Sequence, residues 1–178
     1  MIRFRVLGGV ELHDSTGRPL QSVLVQPKRL ALLAWLASAS PRGFHRRDTI
    51  LALFWPELDE ERARAALNQA VYHLRRSLGR DAILSRGNDE LGVNPAHLWC
   101  DVVAFDEAMQ DGDAGAALAL YRGDLLTGFF LPDAPDWERW LEDERARLRE
   151  RASAGAWTLA EAAAAAGAAT EAATWGRQ

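Results

Sequence analysis

Apolar and polar residues alternate over the first 25 residues of the chain. The apolar positions that define this alternation are Ile2, Phe4, Val6, Val10 and Leu12. A period of two residues predicts β-strands with one buried face. Residues 14–17 have the composition of a turn, and the apolar run 23–25 predicts a short third strand. The chain is therefore expected to begin with a small β-sheet.

The period then becomes that of a helix, and two helices are predicted in succession. The first begins at Pro27, where the missing amide hydrogen carries no penalty, and stops at residues 40–41. The second begins near His45 or Arg46. It has Asp48 in its first turn, where the helix dipole favours a negative charge.

A third helix has the clearest end signals. Asp59 can cap its first turn, and Gly79 supplies a stop after residue 78. A β-hairpin is predicted next, with its turn at residues 87–89 and its strands at 83–85 and 91–93.

Helical periodicity occupies the rest of the chain. The helices are predicted at residues 102–109, 113–121 and 136–166, with a further helix starting near Thr170. Paired helices joined by short turns resemble tetratricopeptide hairpins. The expected fold is an α+β amino-terminal winged helix-turn-helix with an N-terminal β-sheet, followed by an all-α tetratricopeptide-like helical domain. We place the first domain at residues 1–98 and the second, partial one at residues 99–178.

The net charge also differs between the first and second halves of the chain. Residues 1–100 hold 14 Lys and Arg against 10 Asp and Glu, whereas residues 101–178 hold 7 against 15, within a net charge of −4. This asymmetry suggests that only the first half approaches a polyanion, although two domains of differing pI would show the same division.

Several function classes find no support in the sequence. Phosphate-loop, His-Glu-x-x-His and nucleophile-elbow motifs are missing, the four histidines lack metal-ligand spacing, and Cys100 is the single cysteine. We therefore expect no enzymatic activity, no catalytic or metal-binding residue and no cofactor. Because neither a secretion signal nor a sufficiently apolar span is visible, we expect a cytoplasmic, nucleoid-associated protein without membrane contact.

The third helix has one apolar face and one polar face. Leu67, Val71, Leu74 and Leu78 fall on the side predicted to be buried. The opposite side and its shoulders carry Arg62, Asn68, Gln69, Tyr72, His73, Arg75 and Arg76. Arg can bind guanine bidentately, Asn or Gln can bind adenine, and Tyr and His can reach phosphates or bases. The face is typical of a DNA-recognition helix; the alternative is a solvated basic face.

Two further segments could contact DNA. Arg46 and Arg47 begin the second helix, where they suit phosphate contacts, unless they only pair with Asp48 and nearby carboxylates. The hairpin offers Arg86, but the neighbouring Asp89 and Glu90 would repel phosphates unless they turn away.

Aromatic residues of the acidic half have structural interpretations. Trp137 and Trp140, three residues apart, are expected to pack between helices rather than to stack on a ligand. The run 129–131 is interpreted as a core plug, with an apolar patch for a partner as the alternative. Cys100 is expected to be a buried, inert thiol.

Longer segments of the sequence resemble a known family, the bacterial antibiotic-regulatory-protein (SARP) activators. The segments similar to its OmpR/PhoB-type winged helix are 26–36 (QPKRLALLAWL), 45–51 (HRRDTIL), 62–67 (RARAAL) and 74–79 (LRRSLG). Those similar to its bacterial transcriptional activator domain are 119–126 (ALYRGDLL) and 134–148 (APDWERWLEDERARL).

The resemblance implies a transcriptional activator that binds double-stranded DNA near promoters, as a homodimer on direct repeats, and contacts RNA polymerase. By position it implies base-facing roles for Gln69, Tyr72, His73 and Arg76, with Arg75 nearby. Phosphate-side roles follow for Arg46, Arg47 and Arg64. The chain ends about halfway through the activator domain, which suggests a fragment of a longer protein. The rival function is a signalling adaptor in which both halves bind protein partners.

Overall fold

The computed structural model describes residues 1–167 and residue 175. Within these residues, two three-stranded sheets and seven helices form an α+β arrangement. The strands are β1 (Ile2–Arg5), β2 (Glu11–His13), β3 (Phe44–Arg46), β4 (Ile83–Arg86), β5 (Glu90–Val93) and β6 (Leu98–Cys100). The helices are α1 (Gln21–Leu24), α2 (Pro27–Ser38), α3 (Arg47–Phe54), α4 (Glu60–Leu78), α5 (Asp101–Gln110), α6 (Ala114–Leu120) and α7 (Pro135–Ala165), with a 3₁₀ turn at Arg80–Ala82. None of the described helices is both long and apolar enough to cross a membrane.

The first sheet has the order β2-β1-β6. Strand β1 pairs antiparallel with β2 and parallel with β6, so that Ile2 lies opposite Leu98. The predicted third strand at 23–25 is wrong, because these residues lie in and just after the short helix α1. A short apolar run fits a buried helical turn as well as a strand, and β6 takes the remaining edge of β1.

The second sheet, in the order β3-β5-β4, is antiparallel throughout and contains the predicted hairpin. His45 and Arg46, predicted to begin the second helix, belong to β3. Arg46 has an extended backbone with φ −66° and ψ 136°, because it pairs with Glu90, and α3 begins one residue later at Arg47.

The predicted long helix is confirmed as α7 and continues through Gly155. A Cβ at that position would lie 3.2 Å from Sδ of Met109, so the glycine permits close packing of α7 on α5. The helix predicted from Thr170 lies outside the described residues.

One continuous apolar core runs through both halves of the chain. Phe54 of α3 and Trp137 of α7 are both fully buried, and their ring centroids are 5.2 Å apart. The ring centroid of Trp140 lies 5.0 Å from that of Trp137, and Trp140 packs against the same core, so the contact of Trp137 with Phe54 of α3 confirms a packing role for this pair. Leu131 is buried and Phe129 packs on the core, as predicted for a plug.

Phe130 is the exception within that plug, since it is 66% exposed. Cys100 is buried as expected, and burial together with the neighbouring carboxylate of Asp101 raises its pKa to about 12. A thiol with this pKa stays protonated at neutral pH, which is consistent with an inert side chain.

Polar contacts reinforce the junction between the two halves. The carboxylate of Asp101 accepts hydrogen bonds of 3.0 Å from the backbone N–H groups of Val6 and Leu7, and it therefore ties the end of β1 to the start of α5. Asp106 of α5, itself buried, accepts from Arg42 of the first half. Arg147 and Arg151 of α7 donate to the same carboxylate at 2.8–3.0 Å.

Candidate nucleic-acid interface

Helix α4 is well defined at both ends. The Asp59 carboxylate accepts a hydrogen bond of 2.9 Å from the backbone N–H of Arg62, which satisfies one of the free donors of the first turn. Gly79 ends the helix with φ +96°, a conformation that L side chains rarely adopt. The buried residues of α4 are Ala63, Leu67, Ala70, Val71, Leu74 and Leu78.

The opposite side of α4 faces solvent, as the sequence predicts. Arg62, Arg64, Asn68, Gln69, Tyr72 and Arg76 are exposed, while His73 and Arg75 are half-buried. The ring of His73 lies edge-on to Tyr72 at 5.5 Å between centroids. The middle and the carboxyl half of α4 therefore present polar and aromatic groups to any partner of this surface.

Arginines at the amino end of α4 have carboxylate partners. Arg62 pairs with Asp59 at 3.3 Å, and Arg64 pairs with Glu60 at 2.9 Å and with Asp48 at 3.3 Å. Such exposed pairs contribute little to stability, about 0–1 kcal/mol each, and can exchange for phosphate. Their positive charge is nevertheless partly balanced within the protein.

Arg46 and Arg47 differ in their surroundings although they are adjacent. Arg46 is exposed and lies 3.8 Å from Asp48. Arg47 is half-buried, donates to Oδ1 of Asn68 at 2.9 Å, and its backbone N–H donates to the carbonyl oxygen of Asp89 at 2.8 Å. Arg47 therefore joins α3 to α4 and to the hairpin turn.

The hairpin neutralises one of its two acids. Arg86 forms a salt bridge with Glu90, and its guanidinium lies 4.8 Å from the ring centre of Phe44. The hydrogen bond from Arg86 lowers the pKa of the Glu90 carboxyl. Asp89, at the turn, is exposed. The repulsion expected from two hairpin carboxylates is thus reduced to that of one.

Arg75 connects α4 to the hairpin instead of pointing freely to solvent. Its Nε donates to the carbonyl oxygen of Ile83, and Nη2 donates to Oγ of Ser85, each at 2.9 Å. These bonds fix the angle between α4 and strand β4, so that the helix and the hairpin form one surface.

A cleft beside α4 brings together residues from three places in the chain: α3, α4 and the 3₁₀ turn. Its polar lining consists of Arg47, Asn68, Tyr72, Arg75, Arg76 and Arg80, around a volume of about 660 Å³. Arg80 was not predicted as a site residue, because it lies beyond the end of the helix. Continuing the helical wheel by one turn from Arg76 would have placed it on the same side.

No metal site accompanies this surface: the described part of the chain contains no group of three or more His, Cys, Asp or Glu side chains that could hold an ion.

Comparison with known proteins gives a match among the solved structures. No protein-family model matches the chain, and neither does any curated protein. A solved structure of Mycobacterium tuberculosis EmbR, in complex with a low affinity phosphopeptide, superposes with a TM-score of 0.68 at 25% sequence identity. The fold resembles that of EmbR. The match covers 95% of this chain and 47% of that chain, so this chain spans about half the length of EmbR.

This similarity supports a SARP-like fold and is consistent with the mixed α+β arrangement described above.

Proposed function

We propose that this protein is a sequence-specific DNA-binding transcription regulator, an activator, that reads the major groove with α4. The observation that carries the proposal is the exposed face of α4, where Gln69, Tyr72 and Arg76 lie beside a cleft lined with arginines. Base-reading groups and phosphate-binding groups are adjacent on this surface, as DNA recognition requires.

The finer organisation is part of the same proposal. Residues 1–98 form the DNA-binding winged helix, with α3 crossing the DNA backbone, α4 as recognition helix and β4-β5 as wing. Residues 99–178 form part of a tetratricopeptide-like bacterial transcriptional activator domain. The protein acts in the cytoplasm, at the nucleoid, as a homodimer on repeated sites and in contact with RNA polymerase.

Selection from random duplex DNA tests the proposal, followed by affinity measurements on the enriched sequence between about 50 and 200 mM salt. We expect an enriched repeat, and a slope of log affinity against log salt of about −0.9 for each phosphate contacted. Feeble binding without an enriched sequence would contradict the proposal.

Variants of the selected complex separate base reading from phosphate binding. Arg76→Ala and Gln69→Ala should each weaken discrimination at one or two base pairs by about 1–3 kcal/mol. Arg46→Ala should weaken binding to all sequences alike, because a phosphate contact carries no base information. If neither kind of change altered binding to the selected site, α4 would not be the recognition helix.

One observation favours a second candidate, the signalling adaptor. Arg46, Arg62 and Arg64 are all paired with carboxylates, which reduces the positive charge available to DNA. An adaptor would bind a protein partner with little salt dependence, whereas phosphate contacts release counterions. The salt series therefore separates the two candidates.

A further inference from the structure

The cleft beside α4 concentrates positive charge. Four guanidinium groups line it, and no carboxylate is among its lining residues in the described part of the chain. Like charges repel one another, and the repulsion is stronger where water is partly excluded. An anion in the cleft would relieve this repulsion.

Arg47 is the residue on which this repulsion acts most directly. Its Nε atom is buried and has no hydrogen-bond partner among the residues that the structure describes. Burial, followed by the charges of Arg75 and Arg64, lowers the pKa of the Arg47 guanidinium, and Asp89 opposes this effect only in part. A buried donor without an acceptor costs about 1–3 kcal/mol, so an acceptor is missing from its surroundings.

The arginines of the cleft are held in two different ways. Arg47 is fixed by Asn68, and Arg75 by the carbonyl oxygen of Ile83 and the hydroxyl of Ser85. Arg80 is exposed, forms no hydrogen bond or salt bridge within the described residues and can close on a ligand. Its guanidinium and the unused N–H groups of Arg47 and Arg75 suit a tetrahedral oxyanion, because guanidinium donors match phosphate geometry in pairs.

We infer that this cleft binds a single phosphate group, with Arg47 and Arg75 as its fixed side and Arg80 as its closing side, while Arg76 at its rim reaches the bases. This assignment rests on the proposed function: the group is one phosphodiester of the bound DNA, where the backbone passes beside α4. Because Arg47 and Arg75 join α3, α4 and the hairpin, this one phosphate would set the register of the whole surface on the duplex.

The test neutralises single phosphates of the selected duplex. A methylphosphonate is placed at each backbone position in turn, and affinity is measured for the wild-type protein, Arg80→Ala and Arg139→Ala. Arg139 is likewise an exposed arginine, on α7, and serves as the matched control. We expect one position at which neutralisation weakens the wild type and Arg139→Ala about tenfold but weakens Arg80→Ala distinctly less, because one of the guanidinium groups that hold this phosphate is already missing. Equal losses for all three proteins at every position would overturn the inference.

A second measurement keeps the phosphate site testable if no duplex binds. Inorganic phosphate is titrated while the Nε–H resonance of Arg47 is followed by NMR, again with the Arg80→Ala and Arg139→Ala variants. A saturable shift that needs more phosphate in Arg80→Ala than in the wild type and Arg139→Ala, together with absent duplex binding, would establish the phosphate site while the proposed function fails. An unchanged resonance in every protein would overturn the site. A phosphoserine peptide that binds in the cleft more tightly than the duplex would overturn its assignment to DNA.

Discussion

Replacing Trp137 by alanine is expected to lower the free energy of unfolding by about 3–5 kcal/mol. The side chain is fully buried and contacts Phe54 of α3, Phe129 of the preceding loop and Trp140 of its own helix. Its removal would leave a cavity at the centre of the junction between the two halves. Such a loss is a large part of the stability of a typical domain, about 5–15 kcal/mol.

Chemical denaturation of the wild type and two tryptophan variants measures this effect. Trp157→Ala is the control, because Trp157 lies on the same helix but is 64% exposed. Its replacement should change the free energy of unfolding by no more than about 0.5 kcal/mol. Similar losses in the two variants would show that Trp137 is not a core residue of the junction.

Replacing Asp106 by alanine is expected to destabilise the protein by about 2–3 kcal/mol, below the range for fully buried ion pairs. Its carboxylate forms salt bridges with Arg42 of the first half and with Arg147 and Arg151 of α7. Without it, Arg42 and Arg151 lose their carboxylate partner, and Arg147 keeps only Glu144. The effect stays moderate because each arginine side chain keeps about a third of its surface in water.

The same denaturation assay distinguishes this cluster from ordinary surface pairs. Glu142→Ala removes an exposed partner of Arg145, which still donates to the carbonyl oxygens of Leu125 and Leu126, and should change stability by less than about 0.5 kcal/mol. Asp106→Asn keeps the size of the side chain but not its charge. If Asp106→Asn were as stable as the wild type, the charge of the cluster would not stabilise the junction.

Local sequence signals predicted the elements that have strong end signals. The cap at Asp59, the stop at Gly79 and the apolar stripe of α4 act within a few residues, so the helix and its exposed face follow from the sequence. The hairpin and the long helix α7 were predicted for the same reason.

Errors occurred where distant residues decide the conformation. Helix α1 stands in place of a predicted strand, because β6 occupies the edge of β1 from almost a hundred residues away. Strand β3 was missed because only its pairing with β5 holds it extended. No local pattern reveals either pairing.

The polar residues that line the cleft were predicted as site residues, except Arg80, but their arrangement was not predicted. Helical spacing placed Asn68, Tyr72 and Arg76 on or beside one face, whereas their assembly with Arg47 and Arg80 depends on how α3 and the hairpin pack. Which arginines are already paired, as Arg64 is, depends on side-chain contacts between elements that periodicity cannot reveal.

The pairing of β1 with β6 has a consequence for synthesis of the chain. Strand β1 is made first, but its parallel partner and the carboxylate of Asp101 lie 94–96 residues further on. At about 5–20 residues per second, the ribosome needs roughly 5–20 s to make this interval. The first strand therefore leaves the ribosome with one edge unpaired, and the amino-terminal sheet closes only after the whole of the intervening helical and hairpin region has been translated.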